Sequence, residues 1–265
     1  MSTPAQVWSY RTLIVNLAQR DLRSRYKKSV LGWLWSLINP AATLAIYTMV
    51  FSVFLRAQPP VAGNGTLQNF AVYLFCGLIV WNVFSGVING CIGAFATAGS
   101  LLTRTYFPPE CPLLASLATV LLQGALETAI LLVLLVVLGN FSWTAIVVVP
   151  VILLAAAAGL GIGMVLALLN IRFRDVNYLV GIGLQIAFYM TPIVYPIEAI
   201  SNETAKDWLM RNPLTSYVYA MRQGTYMLDL PTAGNWWVML SLSTVCLVGG
   251  WLIFHRHAST VIEEL

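Results

Sequence analysis

Between Arg20 and Lys28 six of nine side chains carry a charge, and from Ser29 to Leu55 none does. A basic segment, Arg-Asp-Leu-Arg-Ser-Arg-Tyr-Lys-Lys, therefore runs directly into an uncharged stretch long enough to cross a bilayer, for which about 20 residues at ~1.5 Å rise suffice. Composition settles whether such a stretch is a buried core helix or a span. Of 265 residues, 59% are hydrophobic and only 9% are charged, too few charges to cover the surface of a water-soluble domain of this size. Lipid leaves every unpaired backbone group costly, so an apolar chain of this kind folds as helices. The fold class expected is an all-α, polytopic membrane protein.

Charge-poor runs predict six transmembrane helices, near Leu31–Leu55, Phe70–Ala96, Leu113–Leu138, Ala145–Leu169, Tyr178–Val194 and Trp236–Phe254. Pro40, Pro150 and Pro192 fall in or near these spans, where proline kinks or ends a helix. The chain divides into an amphipathic interface segment, 1–30, and a transmembrane domain, 31–265. Ten of the 14 Lys and Arg residues fall on the side of the termini, and Arg56, Lys206, Arg211 and Arg222 on the other. The positive-inside rule then places both termini in the cytoplasm. The stretch between spans five and six alternates apolar patches with polar turns, which predicts short re-entrant helices on the extracytoplasmic side. Three Asn-x-Ser/Thr triplets, at Asn64, Asn140 and Asn202, fall in the outer loops; in a secreted eukaryotic chain they would suggest glycans, but outer loops are rich in Asn and Thr, which favours coincidence.

Trp8, Val15, Ala18, Leu22 and Tyr26 recur at helical spacing and form an apolar stripe, while Arg20, Arg23 and Lys27 form a cationic face. Asp21 and Arg25 are an i,i+4 pair of opposite charge. Such a helix lies in the membrane interface with its basic side chains toward lipid phosphates.

Several chemistries are excluded or disfavoured. Cys76, Cys91, Cys111 and Cys246 lie in or beside apolar segments, without a CxxC or a Cys/His cluster, so no metal site is expected. The three lysines, Lys27, Lys28 and Lys206, follow Tyr26, Lys27 and Ala205. A phosphate-binding loop of the Gly-x-x-x-x-Gly-Lys-Ser/Thr type needs glycine before its lysine, so the chain cannot use that loop to bind ATP, and energy for any pumping must come from a partner or from an ion gradient. The acids are scattered, with only Glu263 and Glu264 adjacent, which argues against a membrane-embedded glycan-modifying transferase. A secondary transporter would bring repeats and paired intramembrane charges. Glu127 is the one acid deep in an apolar span, with Gln123 one turn earlier, and is expected to face a partner or a hydrated cavity. Aromatic side chains crowd the first two spans. Because sugar rings stack on aromatic faces, Tyr47, Phe51, Tyr73, Trp81 and Phe84, together with Glu127, are candidates for lining a glycan path.

Five runs carry a family resemblance. Arg20-Asp21-Leu22, Arg25-Tyr26, Ser29, Leu31-Gly32, Trp35 and Leu37-Ile38-Asn39-Pro40 resemble the opening of type 2 ABC exporter permeases, and most closely the branch that exports polysaccharide, O-antigen and teichoic acid. Tyr106-Phe107-Pro108-Pro109-Glu110 with Pro112 is similar to that family's cytoplasmic motif between spans two and three, although a basic residue is frequent after the first proline. Asn170 with Arg174-Asp175 is similar to the motif between spans four and five. Thr191-Pro192-Ile193-Val194-Tyr195-Pro196 and Asn212-Pro213-Leu214 are similar to the outer re-entrant region.

The resemblance implies a permease, not an enzyme, that moves a lipid-linked glycan (O-antigen, galactan, teichoic acid or similar) across a bacterial plasma membrane. It implies two copies of this chain with two copies of a separate ATPase, which binds ATP and Mg; no cofactor is expected on this chain and no nucleic acid is a partner. The ATPase-coupling surface it implies comprises Arg20, Asp21, Arg23, Arg25, Arg104, Tyr106, Phe107, Pro108, Glu110, Arg174 and Asp175. The extracytoplasmic gate it implies comprises Tyr195, Pro196, Asn212 and Pro213.

Overall fold

The computed structural model describes residues 4–25, 29, 31–54, 56, 58–102, 107–197 and 200–262, and among them every regular element is helical. A short α1 (Pro4–Ser9) turns at Tyr10 into α2 (Arg11–Arg25). A 3-10 turn leads into α3 (Trp35–Tyr47), which continues as a π-helical segment to Phe54. The long helices α4 (Phe70–Leu102), α5 (Glu110–Val137) and α6 (Val148–Arg172) follow. Then come α7 (Val176–Tyr189), α8 (Glu203–Arg211), α9 (Pro213–Arg222) with a π-helical extension to Met227, and α10 (Ala233–Ile262).

Among the described residues, five helical stretches are long and apolar enough to cross a membrane: Trp35–Phe54, Phe70–Phe95, Glu110–Val137, Trp143–Arg172 and Ala233–Ala258. The fifth expected span, Tyr178–Val194, holds a shorter helix than the others. Its helix, α7, has 14 residues, about 21 Å against the ~30 Å of hydrocarbon. The apolar run continues to Val194, but the chain leaves the helix at Met190 and passes Pro192 and Pro196 as irregular backbone.

The core is built on α4, whose residues from Val72 to Val80 are all buried. α6 approaches it through glycines. A Cβ at Gly159 would meet the Phe84 carbonyl oxygen at 2.8 Å, and one at Gly163 the Cys91 Cβ at 2.8 Å. Gly161, on the other side of the same helix, lets the backbone of α10 come so close that a Cβ there would run into the Cys246 carbonyl, and one at Gly250 into that of Gly161. Small residues at such crossings let helices gain van der Waals contact where lipid supplies no hydrophobic drive.

α2 packs against α5. The interface stripe read from the sequence is split by the break at Tyr10: Val7 and Ala18 are buried, but Trp8 is 71% exposed and Val15 52%. The amphipathic segment thus has one face on the protein and a second, carrying Trp8 and Val15, turned outward.

Candidate functional site

At the end of the bundle that holds both chain termini, α2, the start of α5, the α6–α7 turn and the end of α10 present the motif residues expected to meet an ATPase. Arg20 and Arg23 are exposed on α2, and Asp21 is half-buried beside them. Arg25 is the last residue of α2. Arg174 and Asp175 are exposed in the turn before α7. That turn is held by Asn170, whose Oδ1 accepts the Asn177 N–H at 3.2 Å, and Arg172 lies 5.8 Å from the ring centroid of Phe173. Arg104 and Tyr106 lie outside the described residues.

The remaining members of this group do not lie on the outer surface. Phe107, Pro108 and Glu110 are buried, and Glu110 is 1% exposed. Its Oε1 stands 3.6 Å from His255 Nδ1 on α10, and the His255 ring stacks on Trp251 with centroids 6.2 Å apart. Glu110 is the first residue of α5, on the same face as the fully buried Leu113, so helical geometry turns it inward. Its side chain links α5 to α10 instead of offering a charge to a partner.

At the opposite end, the two motifs expected to form a gate are brought together. The Asn212 amide donates to the Met190 carbonyl at 3.1 Å and to Thr191 Oγ1 at 3.1 Å. Its Oδ1 accepts the Leu214 N–H at 3.1 Å and so caps α9, with Pro213 in the first turn. Tyr195 donates its hydroxyl to the Tyr189 carbonyl at 2.7 Å, and partial burial holds that hydroxyl above the usual tyrosine range. Pro196 is buried.

Arg222 holds this region together. Only 3% exposed, it donates to the carbonyls of Pro192 and Ile193 at 2.7 Å each and to that of Tyr73 at 3.3 Å. The sequence reading counted it among the outer charges. The available signal was position: with Val218 and Thr225, at four and three residues, it falls on the buried face of its helix. A second tie is built on Asn140, fully buried, whose amide donates to the carbonyls of Thr225 and Tyr226 at 3.2 and 3.0 Å, and whose Oδ1 accepts the Asn64 N–H at 3.2 Å. Tyr226 in turn donates to the Pro60 carbonyl at 3.0 Å.

The aromatic candidates separate into two groups. Tyr73 and Phe84, at 3% and 5% exposure, face the interior. Tyr73 is held between Arg222 and Tyr226, and Phe84 sits where Gly159 draws α6 against α4. Tyr47, Phe51 and Trp81 are half-buried. Phe51 stacks on Phe70 with centroids 5.5 Å apart, and Trp81 meets Phe188 of α7 edge-on at 5.4 Å. Glu127 is 1% exposed and accepts hydrogen bonds from Asn82 Nδ2 at 3.1 Å and Gln123 Nε2 at 3.5 Å.

Among the described residues no group of His, Cys, Asp and Glu has the arrangement of a metal site. Over 262 residues, 98% of each chain, the sequence is 29% identical to the O-antigen export system permease protein RfbA of Myxococcus xanthus. It is 29% identical over 218 residues to the protein of that name from Klebsiella pneumoniae, covering 79% of this chain and 78% of that one. It is 25% identical over 219 residues, 77% of each chain, to the polysialic acid transport protein KpsM of Escherichia coli. The profile of the ABC-2 type transporter family matches residues 12–226. These matches and the apolar helices make the chain a multi-pass membrane protein, and it belongs to the ABC-2 type transporter family.

Proposed function

We propose that this chain is the permease subunit of an ATP-driven exporter that carries a lipid-linked cell-envelope polysaccharide out of the bacterial cytoplasm. The observation that carries the reading is the similarity to an O-antigen export permease along 98% of both chains. Two copies pair in the plasma membrane, with both termini in the cytoplasm, and two copies of a separate ATPase bind ATP and Mg. The absence of any Gly-Lys pair supports placing ATP use on another subunit. The cation excess on the side of the termini supports the orientation. α7, none of whose residues is buried, offers a face for the second copy.

The test is deletion of the gene with measurement of surface glycan, then complementation. Loss of the glycan with accumulation of its lipid-linked form inside the cell is expected. Unaltered surface glycan, or a purified chain that never co-purifies with an ATPase, would overturn the reading.

A further inference from the structure

A cleft of about 630 Å³ opens between α2, α3, α4 and α5, within the size range of small-ligand sites. Its walls are polar although the helices are apolar. α4 contributes Asn82, Ser85 and Asn89, whose spacing of three and four residues sets them on one face. α5 opposes them with Ser116, Gln123 and Glu127, and α3 adds Asn39. α2 brings Arg20 and Asp21 to the end nearer the chain termini. Gly86, Gly90 and Gly93 of α4 also line it, and Gly90 brings α4 against Ser116 of α5.

Amides and carboxylates inside membrane helices are costly unless they face partners or a hydrated cavity. Here one carboxylate is buried and held by two amides, while Asn82 and Asn89 remain exposed. That is the lining of a binding cleft, and its chemistry narrows the ligand. Amide and hydroxyl groups together offer both donors and acceptors, as ligand hydroxyls require.

We propose that this cleft, within a single subunit, binds the sugar residues closest to the anchor of a lipid-linked saccharide, with Asn82, Asn89 and Gln123 hydrogen-bonding their hydroxyls and the buried Glu127 positioning Asn82 and Gln123. The assignment rests on the export of a lipid-linked glycan and adds where one subunit holds it.

The test uses the complete permease–ATPase complex in phosphatidylcholine nanodiscs. The probes are a tritiated polyprenyl diphosphate carrying one hexose and the same lipid without sugar. Wild type is expected to retain the hexose lipid over the bare lipid, and Asn89→Leu and Glu127→Leu each to cut that preference roughly fivefold or more, the loss of about one hydrogen bond. Asn89 is exposed, so Asn89→Leu carries the test should Glu127→Leu fail to assemble. Equal retention of the two probes by wild type, or an unchanged preference in Asn89→Leu, would overturn the proposal. So would competition by phosphatidylglycerol as effective as that of unlabelled hexose lipid, which would make this a general headgroup site. Surface glycan after gene deletion is read in parallel: glycan lost with no sugar preference in vitro removes this inference alone, and glycan retained removes the export function.

Discussion

The guanidinium of Arg222 lies 3.8 Å from the ring centroid of Tyr73, two residues that are 149 positions apart in the chain. The same guanidinium holds the carbonyls of Pro192 and Ile193. The segment that follows α7 is irregular and buried from Thr191 to Val194, so its carbonyls have no helical donors and no water. Arginine suits the position because its donors form a rigid, planar fork that can stack on an aromatic ring while still reaching several acceptors. The end of the α7 helix before the apolar run is complete is thereby tolerated.

Arg222→Ala should leave two buried carbonyls without donors, at roughly 1–3 kcal/mol each. Arg222→Lys keeps the charge but loses the fork, and should fall between wild type and alanine. Thermal unfolding of the purified protein in detergent checks the order. An alanine variant as stable as wild type would show that other groups satisfy this turn.

The crossing of α6 and α10 gives a sharper contrast. A Cβ at Gly250 meets the backbone of Gly161, which no side-chain rotation relieves, whereas one at Gly181 on α7 has nothing within 4 Å. Gly250→Ala should therefore destabilise by about 1–3 kcal/mol, the usual range for overpacking, and Gly181→Ala should not destabilise. Denaturant titrations in mixed micelles measure both. Equal effects would mean that α6 and α10 do not cross this closely.

Much of the architecture follows from periodicity and charge alone. Five of the six expected spans are single long helical stretches because long uncharged runs have one good solution in lipid. The exception, Tyr178–Val194, shows the limit of that logic. Hydropathy measures how apolar a run is and says nothing of whether its backbone is helical, and here a distant arginine satisfies the non-helical part. The burial of Glu110 has a related reason. In sequence it is the lone acid of a polar elbow; in space the first turn of α5 aims it at His255 of the last helix. Asn212 was legible as a motif member, but not as the residue that ties α9 to the end of α7.

Burial divides the ATPase-facing candidates into two experimental classes. Glu110→Arg places a charge in an interior position that now holds a carboxylate beside His255, so it should lower thermal stability sharply even without an ATPase present. Arg174→Glu with Asp175→Arg changes only exposed side chains, where charge interactions contribute at most about 1 kcal/mol. That double variant should keep its stability and lose stimulation of the co-purified ATPase. Unfolding temperature and ATPase rate, measured on the same preparations, separate the two. A stable Glu110→Arg variant would return Glu110 to the surface class.

Asn212 uses its two amide atoms for two different tasks, and one substitution separates them. Its oxygen caps α9 through the Leu214 N–H, while its NH2 donates to Met190 and Thr191. Asn212→Asp keeps the cap, since aspartate is as good an N-cap residue as asparagine, but an ionised aspartate cannot donate, and it brings negative charge against the Met190 carbonyl. Asn212→Ala loses both roles and should cost about 1 kcal/mol for the cap alone. Hydrogen exchange then reports on each task. In the aspartate variant the amides of α9 should stay protected while those of 190–197 exchange faster. In the alanine variant both segments should loosen. If the aspartate variant protects 190–197 as wild type does, the link from Asn212 to the end of α7 contributes nothing to holding that turn, and Arg222 alone fixes it.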